Sequence, residues 1–523
     1  MKRILKSVIV PATFVFFFVW VLSACSAEKG GIKQPADYKK ALTAINPDFM
    51  ITPDEAYEWH LHKDKGGPTY SGNASWQSYM SLIEKKLKKY GVVDITKNKW
   101  TYKRWHTSDW PDDSNWTLVS DGQPVKVAHY GAYSGSTGPQ GITANMVLYT
   151  PKTPMASLKG KIVVFRTAPH PKPPLDEKYK KWFTLNDYEY RHQADDFPPL
   201  FTQVPPSQSV SYDVWWQLRQ TVMVYKVLRK SQAAGGVVVF NMGYDRLSGL
   251  YTFPVLPQYN APNLYVDRVS GAKLVKDAKA GKKATIKLLA KVEPTETYQL
   301  IGYLPGRHYG TPQDEKVLLT THTDGPAVLQ DNGALGLLGI VGYFSHIPQS
   351  ERPRTLMLYL DNRHYMPGME RAFAKQDYFT KNPAAKTSIV ALVATEHLGQ
   401  IEFREVGNKY EPTGKLEISF LWSRNNQMLI DKAIKAVQDN NWPRVMVQSV
   451  ERPGQHSGGP QGIWYGLGKV ALAWDLPGYG TMGAQGAYWA TTARIDTFNK
   501  EHFVTEVAAM SQLTGELMLA DFK

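Results

Sequence analysis

Cysteine is almost missing from this sequence: Cys25 stands alone among 523 residues. A disulfide within the chain is therefore excluded. Internal repeats and long low-complexity tracts are missing too, which sets aside repeat architectures and leaves a globular reading. Acidic residues are the scarcer charge, 47 against 61 lysines and arginines, for a formal charge of +14. A basic balance of that size suits an anionic membrane surface or acidic ligands. It does not indicate nucleic acid, because the cations are scattered or sit in amphipathic stretches such as residues 84–89. A solvated face accounts for them.

The N-terminus reads as an export signal. Lys2, Arg3 and Lys6 precede an apolar run at residues 8–22, which closes on Leu22-Ser23-Ala24-Cys25. The small residues before Cys25 resemble the lipobox of bacterial lipoproteins. That resemblance implies a signal peptide over residues 1–24, diacylation of the Cys25 thiol and a tether over residues 25–39. It also implies a place in the cell envelope, on the membrane through the N-terminal lipid, facing the periplasm or the exterior. An ordinary cleaved signal with an incidental cysteine is the alternative. Loss of three leader cations and no acids leaves a charge of +11 on the mature chain.

The 499 residues from Cys25 onward are too many for one core, so two domains are expected. Apolar and aromatic residues recur at helical spacing among lysines over residues 76–90, and "GVVDITKNKWTYKRW" then predicts a turn and a strand. "GKIVVFRT" from Gly160 reads as a buried strand. "VMVYKVLRKSQAAGGVVVFNM" from Val222 reads as a helix, a Gly235-Gly236 stop and a second buried strand. Between them, residues 168–211 are rich in proline and aromatics and predict a long surface loop or lid. This arrangement resembles the β-rich protease-associated domain inserted in some exported aminopeptidases, which has no catalytic residues of its own. Here it would cover residues 141–295.

Further on, the strand in "YQLIGYLPG" is followed by a buried strand at residues 316–321 that ends in "HTDG". "DNGALGLLGIVGYF" starts a helix, and "RTLMLYLDNRH" and "IVALVATEHLG" are strands. Each buried strand ends in ionisable groups: His322, residues 361–364, and Glu396 with His397. Ligands bind beyond such strand ends in open α/β sheets.

"IGYLPG", "HTD" and "DNGALG" carry a resemblance to the co-catalytic zinc aminopeptidases and glutamate carboxypeptidases of metallopeptidase family 28. The resemblance implies an α/β fold, with a three-layer α/β/α domain and mixed central sheet built from residues 40–140 and 296–523. It implies His322 and Glu396 as zinc ligands, Asp331 as a carboxylate bridging two ions, and Asp324 as the group that orients the His322 ring. The sequence also departs from the family. Arg363 stands at the general base, and an arginine cannot accept a proton at neutral pH. His364 stands at a ligand position the family fills with glutamate, and Thr492 stands at the family's late histidine. His456, in "PGQHSGGPQG", is the candidate replacement. Ligand-type residues for one divalent ion, zinc, remain: His322, Asp331 and Glu396, with His364 or His456. The base would come from Asp361, Glu396 or His397.

Each of these residues has a second reading. His322, Asp324 and Asp331 also suit a satisfied hydrogen-bond cluster. His397 suits either direct chemistry or the support of a ligand. Arg363 either steadies an anionic group on a substrate or makes a salt bridge to Asp361 or Asp331. The first functional expectation is a membrane-anchored, metal-dependent hydrolase of a small-molecule or peptide substrate, with an anionic group on it as one option. The second is an inactive peptidase-like lipoprotein that serves as a binding module. The third is an enzyme like the glutaminyl cyclases.

Overall fold

Strand after strand carries apolar side chains on both faces, as a sheet covered from two sides requires. In Lys316–His322, Val317 and Leu319 enter one core cluster and Leu318 enters another. The same alternation puts Leu356 and Leu358 opposite Met357 and Tyr359 in Thr355–Asp361. The computed structural model describes residues 37–109, 111–169, 189–194, 210–424, 426–450, 474, 476–483 and 489–522. The leader, Cys25, all but the end of the tether, and His456 lie outside the described residues.

Nine strands form the central sheet. By first residue their order across it is Val93, Lys291, Thr355, Lys316, Ile389, Gly478, Ser419, Val445 and Glu189. The strands starting at Thr355, Lys316, Ile389 and Gly478 run parallel, and antiparallel neighbours flank them on both sides. The sheet is therefore mixed, as expected. The chain leaves Lys316–His322, runs up one neighbour as Thr355–Asp361 and returns on the other side as Ile389–Thr395. That reversal opens a crevice beyond the strands' carboxyl ends. His322 pairs in register with Asp361, so the ends are level.

Helices cover one face. The first twelve residues of Gly333–Ser345 are all buried, and Pro53–Gly66, Ala74–Lys89 and Lys500–Leu519 pack around that helix. All three begin on side-chain caps: Thr52 accepts from Glu55 N at 3.1 Å, Asn73 from Trp76 N at 2.7 Å and Asn499 from His502 N at 2.8 Å. The other face buries Ile301, Leu318, Met357, Phe420 and Trp422 with Phe379 from the short helix Tyr378–Lys381. Among the described residues no helix is long and apolar enough to cross a membrane.

A second sheet has eight strands, all drawn from residues 116–288. In sequence it lies between Val93–His106 and Lys291–Leu304, which pair with each other in the central sheet from Val93↔Tyr303 to His106↔Lys291. The chain thus leaves and re-enters the central sheet at adjacent strands, and the residues between them add only one edge strand to it, Glu189–His192. Val210–Ser231 sends Val224 and Leu228 into the main core, and Arg268–Lys279 sends Leu274 and Ala278 into a separate cluster. Both sheets belong to one compact unit, Tyr38–Lys523.

The stretch expected as a loop or lid contains regular structure. Glu189–His192 is the edge strand of the central sheet, paired antiparallel with Val445–Val450, and a helix begins at Val210. A four-residue polar strand has no pattern of its own to announce it; the neighbouring strand supplies the pairing.

Candidate metal centre

The level strand ends bring His322, Glu396 and His397 together: one ligand-type atom from each lies within 4.8 Å of the others. The main chain sets this up. Glu396 N donates to Thr481 O at 2.8 Å, which ties down the end of its strand. His397 then turns away with φ of 53° and Gly399 follows at 69°. A side chain in this left-handed region costs about 1–2 kcal/mol, a strain that recurs at functional sites. Close packing does the rest: a Cβ on Gly333 would collide with the main-chain oxygen of Thr395, so only glycine lets the buried helix start against this strand end.

His322 Nδ1 lies 2.8 Å from the main-chain oxygen of Asp324, to which it donates, and this turns Nε2 toward Glu396 Oε1 at 3.6 Å. Glu396 Oε2 is 3.8 Å from His397 Nε2. The orienting contact on the His322 ring thus comes from the backbone of Asp324. Its carboxylate accepts from Tyr365 N at 2.7 Å and His364 N at 3.2 Å, tying the 322 loop to the next strand end. The ring of His364 sits 4.4 Å from that of His322, with its other side on Phe253 at 4.9 Å.

Burial works against a charged His322, but Glu396, Asp324 and Asp331 overcome it and raise the imidazole to about 9. His397 is pushed the other way, well below its ordinary value, by burial and by His322 and His364. The trio sets one carboxylate between two imidazoles. Its donor set fits zinc: two imidazoles and one carboxylate are the complement of an open site with three protein ligands.

Asp331 is turned elsewhere. Its Oδ1 is 2.7 Å from Lys63 Nζ, its Oδ2 accepts from Thr69 Oγ1 at 2.7 Å, and neither side chain of the ion pair is open to solvent. Lys63 was invisible as a site residue in the sequence. It sits in "HLHKDKG" on the helix Pro53–Gly66, where lysines read as a solvated face. The available signal was His60 three residues earlier, since two buried polar groups one turn apart share a face.

Arg363 is fully engaged below the centre. It grips Asp361 with two bonds of 2.8 and 2.7 Å and donates to Asp377 at 2.7 Å, Tyr359 Oη at 3.0 Å and Phe373 O at 3.2 Å. Of its two sequence readings, this is the salt bridge. Although burial opposes the charge, Arg363, Gln299 and the Asn362 amide hold Asp361 below the ordinary carboxylate value, which leaves it a poor proton acceptor. Thr492 donates to Ser248 O at 3.2 Å. Nearby, Tyr251 N bonds Trp489 O at 2.9 Å and Gly368 N bonds Pro254 O at 2.7 Å. A segment from the second sheet's portion of the chain is thereby strapped beside the centre.

No family model matches the sequence, and no curated protein is significantly similar to it. Solved structures do share its fold. A peptidase M28 precursor from Shewanella amazonensis SB2B superposes with a TM-score of 0.59 at 14% identity, over 93% of this chain and 98% of that one. A zinc aminopeptidase from Bacillus subtilis gives 0.56 at 12% identity, over 89% and 95%. An aminopeptidase from Aneurinibacillus sp. strain AM-1 gives 0.54 at 12% identity, over 92% and 95%. At these identities the likeness defines the architecture: the chain has the mixed α/β aminopeptidase-like fold.

Proposed function

We propose that this chain is an exported, metal-dependent hydrolase that works with a single divalent ion, zinc, held by His322, Glu396 and His397. The observation that carries the reading is the convergence of those three side chains from two neighbouring strand ends. Solved structures of the same fold are described as a peptidase and as aminopeptidases, so peptides with a free N-terminus are the first substrates to test. Lipid attachment at Cys25 and a place in the cell envelope belong to the proposal and rest on the sequence alone.

When bound, zinc supplies Lewis acidity and lowers the pKa of a water to about 7. The protein's own part is geometric. The Asp324 carbonyl fixes the His322 tautomer and presents Nε2, while Glu396 lies between the two imidazoles. His364, whose ring centre lies 4.4 Å from that of His322 but outside the trio, is the candidate general base, since Asp361 is committed to Arg363. The substrate need carry no anionic group, because the Arg363 guanidinium has its carboxylates already.

Elemental analysis of the purified protein tests this directly. Stoichiometric zinc that is lost in His322→Ala and in Glu396→Ala is expected. The rival binding-module reading would have the His322–Glu396 pair, 3.6 Å apart, hold the cluster together in place of an ion. Native protein free of metal at purification, and unable to take up zinc, would leave that rival standing.

A further inference from the structure

We propose that Lys63 is the centre's resident second cation: its ammonium takes the Asp331 carboxylate out of the ligand set and so limits the centre to one divalent ion. This rests on the zinc reading above and adds to it a residue that sets the metal count.

The lysine is built in. Its side chain and that of Asp331 are 1% and 0% exposed, and Nζ sits 2.7 Å from Oδ1. Nζ also donates to Ala327 O at 2.6 Å and lies 5.4 Å from the centre of the Tyr79 ring. Thr69 supplies the other Asp331 oxygen at 2.7 Å. Oδ2 thus accepts from the threonine hydroxyl, while Oδ1 faces the ammonium as an ion pair without a hydrogen bond. The next residue, Asn332, bonds both main-chain groups of Leu398, directly after His397, so a metal at the trio and the ammonium share one electrostatic neighbourhood.

The charge balance agrees. Asp324, Asp331 and Glu396 are buried carboxylates of this neighbourhood, and buried charges persist only when compensated. One divalent ion and one ammonium bring three positive charges against those three negative ones. A second divalent ion would have to share Asp331 with the ammonium, and like charges that close repel. Replacing Lys63 by an uncharged side chain leaves Asp331 as a buried carboxylate in want of a cation, next to the imidazole and carboxylate donors of the trio.

The test is zinc per chain and zinc affinity, measured by elemental analysis and by titration against a chromophoric chelator, with circular dichroism to confirm folding. Wild type is expected to bind one zinc. Asp331→Asn is expected to keep one zinc per chain, bound more weakly for want of the carboxylate charge, because Asp331 serves Lys63 and does not ligate the ion. Lys63→Met is expected to bind two, and Lys63→Met with Asp331→Asn to return to one. Lys63→Met remaining at one zinc overturns the proposal. So does loss of the one stoichiometric zinc from Asp331→Asn, and that arm decides alone if Lys63→Met does not fold. Wild type with two zincs overturns only the role of Lys63; wild type with none overturns the hydrolase reading and the proposal together.

Discussion

His60 accepts a hydrogen bond from Asn332, its Nε2 3.1 Å from the amide nitrogen, while its Nδ1 donates to Ala56 O at 2.7 Å. One turn along the same helix, Lys63 reaches Asp331. Helix Pro53–Gly66 thereby grips two consecutive residues of the loop that starts the buried helix. Asn332 passes the grip on: its amide donates to Leu398 O at 2.7 Å and accepts from Leu398 N at 2.9 Å, directly after His397. Burial lowers His60 to about 3, so at neutral pH it stays the uncharged acceptor this arrangement needs.

Removing the Asn332 amide should therefore cost stability and metal together. Asn332→Ala leaves His60 Nε2 and both main-chain groups of Leu398 buried without partners. At about 1–3 kcal/mol for each stranded group, partly relieved by relaxation, a loss of about 3 kcal/mol is expected. Urea denaturation measures it, and zinc affinity should drop at least tenfold as the His397 turn loosens. A loss below about 1 kcal/mol would mean that the bridge is not what holds this turn.

Arg363 separates a supporting role from a direct one. Arg363→Met strands two buried carboxylates, Asp361 and Asp377, and breaking a buried ion pair by deleting one partner costs about 3–5 kcal/mol. The folded fraction should still bind one zinc. Zinc lost from a variant whose unfolding midpoint is unchanged would instead put the guanidinium at the centre.

How much of this was legible depended on which physical signal each residue carried. The strand ends were readable because buried strands are continuous apolar runs, and the first ionisable residue after each run marks where it emerges: His322, Asp361 and Glu396. Which of those groups converge was not readable, because it turns on backbone angles such as the positive φ of His397. Nor was the partner of Asp331, since Lys63 lies 268 positions earlier and only tertiary packing brings the two together. The edge strand Glu189–His192 escaped for a related reason: its identity lies in its pairing with Val445–Val450.

The lipobox reading has its own test. Cys25→Ser leaves every described contact untouched, yet it removes the thiol that the N-terminal motif offers for diacylation. The wild-type protein is expected in the membrane fraction and the variant in the soluble fraction after export. Equal distribution of both would mean that the leader is an ordinary cleaved signal.

Two buried carboxyls outside the ligand trio should shape the pH dependence of stability. Burial raises Glu506 to about 8 against hydrogen bonds from Ser419 and Gly399, and raises Glu417 to about 8 despite Arg404 nearby. Both folded values lie above the ordinary 4.5 of an unfolded glutamate. Between about 4.5 and 8 the unfolded chain has released these protons and the folded chain retains them. Their contribution is thus fully present below 4.5 and is lost as pH rises through 8. At about 1.4 kcal/mol per pH unit per group, discounted for relaxation around a buried carboxylate, the pair should cost about 2–4 kcal/mol on going from pH 5 to pH 8.5. Glu506→Gln keeps an acceptor for Gly399 N and a polar group for Ser419 Oγ without the titration. The variant should match wild type at pH 5, exceed it at pH 8.5, and roughly halve the slope in urea midpoints between them. A wild-type protein whose stability rises steadily over that interval would show that these carboxyls ionise within the fold.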